Sequence, residues 1–130
     1  MITFRAVTAC AFVLAPALCI AADPSFRTDI QPLLNAQCVF CHVDGAENGG
    51  LNLGRRKSHA ALMAASTEAP MPRITPGDPQ KSYLVHKLRG THVDVGGSGS
   101  AMPIYDPPRP FDPAQLDMIE RWSKGGALNN

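Results

Sequence analysis

Cys38-Val39-Phe40-Cys41-His42 is the stretch of this chain whose residue types and spacing carry the most chemistry. Two thiols separated by two residues, with an imidazole directly after, form the Cys-x-x-Cys-His pattern of covalent haem attachment. The two intervening residues set the thiols at the separation of the porphyrin's vinyl groups, so each can form a thioether. The adjacent histidine projects onto the metal, where neutral imidazole is an iron ligand. The residues therefore point to one haem c, held through Cys38 and Cys41, with His42 on the iron. Other chemistries share part of the pattern. A redox disulfide of this spacing belongs to a βαβ context, which the sequence lacks. A zinc site needs more ligands, yet no second cysteine pair follows, and His59, His86 and His92 have no finger spacing. A short structural disulfide is the remaining alternative in an oxidising compartment.

The elements that must position this motif read as helices. Phe26, Ile30, Leu33 and Leu34 recur at helical spacing from about Ser25 to Gln37, with Ser25 available as a cap and Pro32 predicting a kink or a late start. Lys57 to Ser66 is an alanine-rich, helix-favouring run. Asp78-Pro79 pairs an N-cap with proline at the first helical position and opens a helix that stops at Gly90. Asp112-Pro113 repeats the device, with Leu116, Ile119 and Trp122 on one face and Gly125-Gly126 as the stop. The connections Gly45 to Gly54, Glu68 to Gly77 and Gly90 to Pro110 are rich in Gly and Pro, and no alternating strand pattern occurs. This is an all-α domain with long loops, which a bound group would organise.

Composition sets the compartment and excludes some partners. The 17 residues from Ala6 to Ala22 carry no charge, follow Arg5 and end on small side chains. Residues 1–22 therefore read as a signal peptide and 23–130 as the mature domain, exported to the periplasm. Pro16 interrupts the run, which argues against a membrane anchor, and Leu18 before Cys19 argues against a lipoprotein site. With Arg5 removed from the 12 basic residues, the mature chain balances 11 basic against 11 acidic side chains. That balance excludes the basic excess of nucleic-acid binding and gives no basis for stable membrane insertion after signal cleavage. Arg55-Arg56-Lys57 reads as a solvated loop. Six aromatic residues beyond position 22 make a thin core, which buried haem would fill out.

Taken in order, these stretches resemble the cytochrome c family, in particular its periplasmic and multidomain bacterial members. Asp29 to Leu34 leads into the haem motif, and Gly49 to Leu53 follows it. Pro76 to Pro79 with Ser82-Tyr83-Leu84 comes next, then Met102-Pro103, and finally Ile119 to Ala127 around Trp122. The resemblance spans nearly all of the mature chain. It implies the cytochrome c fold, with about four short helices wrapped around one haem and with the first and last helices crossing at Phe26 and Trp122. It also implies a methionine as second axial ligand. Met102, 60 residues after His42 and followed by proline, is the choice, with Met71 and His92 as competitors and Met63 as packing. Arg73 resembles residues that pair with haem propionates. Pro76 resembles the residue that shapes the proximal side, where a backbone carbonyl orients the ligand histidine. The run Gly96-Gly97-Ser98-Gly99-Ser100 predicts a loosely held ligand loop and a labile Met–iron bond, because ordering glycine costs extra entropy.

The function this implies is electron transfer by a single-haem protein with His42/Met102 ligation, not catalysis. The expected partners are redox proteins, a donor and an acceptor, met through small transient surfaces. Two alternatives stay open: a haem enzyme or gas-binding sensor with an open or labile sixth site, and the haem subunit of a larger periplasmic oxidoreductase.

Overall fold

The computed structural model describes residues 22–46 and 48–130. The signal-peptide reading of residues 1–22 lies, apart from Ala22, outside the described residues. These are all-α: short helices joined by long connections, with an isolated antiparallel bridge between Ala65 and Pro72 and no strand. None of the described helices is long and apolar enough to cross a membrane.

Phe26–Ile30 forms a single wide π-type turn that runs directly into helix α1, Gln31–Gln37. Pro32 explains the late start: it has no N–H to give to an α-type ladder, so it sits in the first turn of the regular helix. Ser25 occupies the N-cap position, but its hydroxyl does not cap; it donates to the Asn130 carbonyl at 3.0 Å. Asn130 takes over that role. Its side-chain oxygen accepts from the Phe26 N–H and its carbonyl from the Arg27 N–H, both at 2.9 Å.

The second predicted helix is shorter than expected: α2 spans Ser58–Met63 rather than reaching Ser66. Ala64 turns extended, with ψ at 160°, and its carbonyl accepts from the Arg73 N–H at 3.1 Å. Pairing with the 71–73 segment thus overrides the helix preference of the alanines. The third predicted helix is divided. Asp78 caps as expected, accepting from the N–H groups of Gln80 and Lys81, but only over the short turn Pro79–Lys81. Ser82 then leaves helical geometry, because its buried hydroxyl accepts from the Thr75 N–H at 2.9 Å and donates to the Asp78 carbonyl at 2.9 Å. Helix α3 proper is Tyr83–Arg89, closed by Gly90 in the left-handed region that glycine adopts without strain. Helix α4, Pro113–Lys124, agrees with the sequence and is capped by Asp112 through the Ala114 and Gln115 N–H groups.

One apolar cluster joins these pieces. Phe26 and Ile30 from the first turn, Leu34 from α1, Leu62 from α2, Val85 from α3 and Ile119 and Trp122 from α4 are all buried in it. The Phe26 and Trp122 rings meet at 5.4 Å between centroids, and His59 lies edge-on to Phe26 at 4.9 Å. Trp122 is 1% exposed, and its indole N–H donates to the Leu128 carbonyl at 3.0 Å. Replacing Trp122 with alanine should therefore cost roughly 3–5 kcal/mol, as large aromatic truncations in closed cores do. Urea unfolding of the two proteins checks this; a loss under about 1 kcal/mol would show that Trp122 is not central to the core.

Candidate haem site

The Cys-x-x-Cys-His motif hangs from the end of α1. The Cys38 N–H donates to Leu34 at 2.9 Å, and the His42 N–H donates back to Cys38 at 3.0 Å, so the five residues curl into one helical turn. That turn puts the two thiols and the imidazole at the same end of α1. The His42 carbonyl then accepts from the Leu53 N–H at 2.7 Å, which ties the motif to the segment beyond it. Cys38 is half-buried, Cys41 exposed, and both are free thiols. Burial pushes the Cys38 thiol up to about 11. That shift opposes the thiolate stabilisation that activates redox Cys-x-x-Cys pairs.

These residues open onto a cavity of about 400 Å³, within the size range of small-molecule sites. Cys38, Cys41, His42, Met102 and Arg73 all line it. Its remaining walls are largely apolar and include Leu51, Leu53, Leu62, Leu84 and Leu88. A larger depression of about 830 Å³ near Arg27, Arg55, Arg56 and His59 shares none of these residues. Met102 is half-buried, and its N–H donates to the Lys87 carbonyl on α3 at 2.9 Å. Tyr105, three residues on, donates to the Gln37 side chain at 3.4 Å, which draws the Met102 segment towards the end of α1.

Of the competing ligands, neither Met71 nor His92 lines the cavity. His92 is also not the surface residue its loop position suggests. It is 4% exposed, and its Nε2–H donates to the Gly99 carbonyl at 2.8 Å. Met63 packs against the core, as expected. Arg73 donates to the Ala61 carbonyl at 3.0 Å and the Gly49 carbonyl at 2.7 Å. Burial lowers its affinity for the proton, an effect the Glu68 carboxylate opposes. Two of the five guanidinium N–H groups are thereby committed, leaving three for a carboxylate. Pro76 is not brought to the site: it is exposed and absent from the cavity lining. Among the described residues no carbonyl orients His42, whose buried Nδ1 has no hydrogen-bond partner there.

The residues present fit a haem. Two thiols, an imidazole and a thioether converge on one apolar-walled cavity, and this is the donor set of covalent attachment with Met/His iron ligation. Sequence reasoning missed Lys87, Glu68, Tyr83 and Tyr105 in the same lining. Lys87 and Tyr83 stand four apart on α3, which puts them on one helix face; that spacing was the available signal. The chain matches no protein-family model, no curated protein and no solved structure.

Proposed function

We propose that this chain is a single-haem c-type cytochrome with the cytochrome c fold, exported to the periplasm, that passes electrons between redox proteins. The observation that supports this best is that Met102, 60 residues from His42 in sequence, lines the same cavity as His42 and both motif thiols. When bound, haem c supplies reversible one-electron exchange between ferrous and ferric iron. The chain's own residues do the rest. Cys38 and Cys41 would hold the group through thioethers, and His42 and Met102 would both ligate its iron, leaving no site for substrate. The leucine walls would surround the group with apolar side chains, and Arg73 would offer its uncommitted N–H groups to a propionate. Phe40 and Ile104 line the same cavity and are 97% and 73% exposed. They form a small apolar rim suited to brief contact with a partner.

The test is the visible spectrum of the chain matured with haem in a bacterial periplasm. Expected are one covalent haem per chain, a weak red sulfur-to-iron band in the oxidised protein, and no carbon monoxide adduct in the reduced protein. Ready carbon monoxide binding with no sulfur band would replace the carrier with an open-site haem protein. Absence of covalent haem would end the cytochrome reading altogether.

A further inference from the structure

The glycine-rich run before Met102 is tied down, contrary to the loose loop its composition predicts. Gly97 sits where a Cβ would lie 2.5 Å from Tyr83 Cε2 and 2.6 Å from the His92 carbonyl, and its N–H donates to that carbonyl at 2.8 Å. Ser98 accepts from the Tyr83 hydroxyl at 3.3 Å. The strongest tie comes from Lys87, whose side chain is only 6% exposed. Its Nζ reaches the Ser98 carbonyl at 2.6 Å, the Ser100 carbonyl at 3.1 Å and Glu68 Oε2 at 3.3 Å. An ammonium has three N–H donors and no acceptor, so these three oxygens match its whole capacity. A buried lysine that is fully paired in this way is held in one arrangement. The same residue's backbone carbonyl accepts from the Met102 N–H. Lys87 thus grips the ligand loop at both ends of the last turn before the methionine.

Resting on the haem reading above, we propose that Lys87 is the positioning residue for Met102, clamping the Ser98–Ser100 segment so that the thioether stays on the iron and the sixth position stays closed. The glycines permit the tight path, and the lysine removes the freedom they bring. What separates a closed carrier from an open-site haem protein in this chain is therefore a salt-bridged ammonium on α3.

The test compares wild type, Lys87→Met and Lys87→Arg as haem-loaded proteins, with Glu68→Gln as a milder variant should Lys87→Met fail to fold. Expected in Lys87→Met are retained covalent haem, loss of most of the red sulfur-to-iron band, and a carbon monoxide adduct that wild type lacks. Amide hydrogen exchange at residues 97–102 should accelerate at least tenfold. Lys87→Arg, which keeps charge and donors, should retain the band, and Glu68→Gln should show a smaller acceleration of the same amides. An unchanged band in Lys87→Met, or loop amides as slow as wild type in both Lys87→Met and Glu68→Gln, would overturn the clamp. The two readings fail separately. A wild type without the band refutes Met102 ligation, while loop exchange still decides whether Lys87 holds the loop.

Discussion

Replacing Cys38 and Cys41 together with alanine should abolish covalent haem: no haem-associated peroxidase stain should remain with the chain on a denaturing gel. Each single replacement should leave any attached haem held through the one remaining thioether, so stain should persist on the gel in the single variants and vanish only in the double. The physical basis is the turn at the end of α1, which presents both thiols and His42 to one cavity. A second consequence is thermal. The apolar walls that enclose this space lie against the core, so haem, tethered to the chain in both states, would be buried only in the folded one and would stabilise it. Burying about 100 Å² of its apolar surface contributes about 2.5 kcal/mol. At roughly 4–8 °C per kcal/mol for a domain of this size, the double variant should melt at least about 10 °C below the haem-loaded protein. Calorimetry checks the shift, and haem that survives denaturation in the double variant would remove the thioether assignment.

Met102→Ala is expected to leave covalent haem intact and change its redox behaviour. The red sulfur-to-iron band should vanish, carbon monoxide should bind the reduced protein, and the reduction potential should fall. A thioether is a soft ligand that favours ferrous iron, so Met/His ligation raises the potential. In a one-electron couple each tenfold preference is worth about 59 mV, and a preference of about a hundredfold gives a fall on the order of 100 mV. Potentiometric titration reads it directly. Met71→Leu should leave band and potential as in wild type, since Met71 lies outside the cavity lining. Retention of the band in Met102→Ala would transfer the ligand role to another residue.

Much of this molecule is legible in its sequence because the signals are local. Asp78 and Asp112 cap the turns they precede, Gly90 closes α3, and α4 begins and ends at its own markers. Each of these acts over three or four residues, the reach of a backbone hydrogen bond. The boundaries that shifted were decided by longer contacts. The bonds from residues 71 and 73 back to Ser66 and Ala64 cut α2 short, and the buried Ser82 hydroxyl split the third helix from its cap.

By itself the sequence determined the all-α class and the identity of the chemical motif, since Cys38, Cys41 and His42 are set by chain spacing within one turn. Only the tertiary structure put Met102 in the cavity wall with Met71 and His92 outside it, left Pro76 exposed outside the cavity, and buried Lys87 beneath a loop that composition marks as free. The reason is physical. A cavity wall is assembled from residues dozens of positions apart, and which of them meet depends on how the helices pack rather than on any neighbour in the chain.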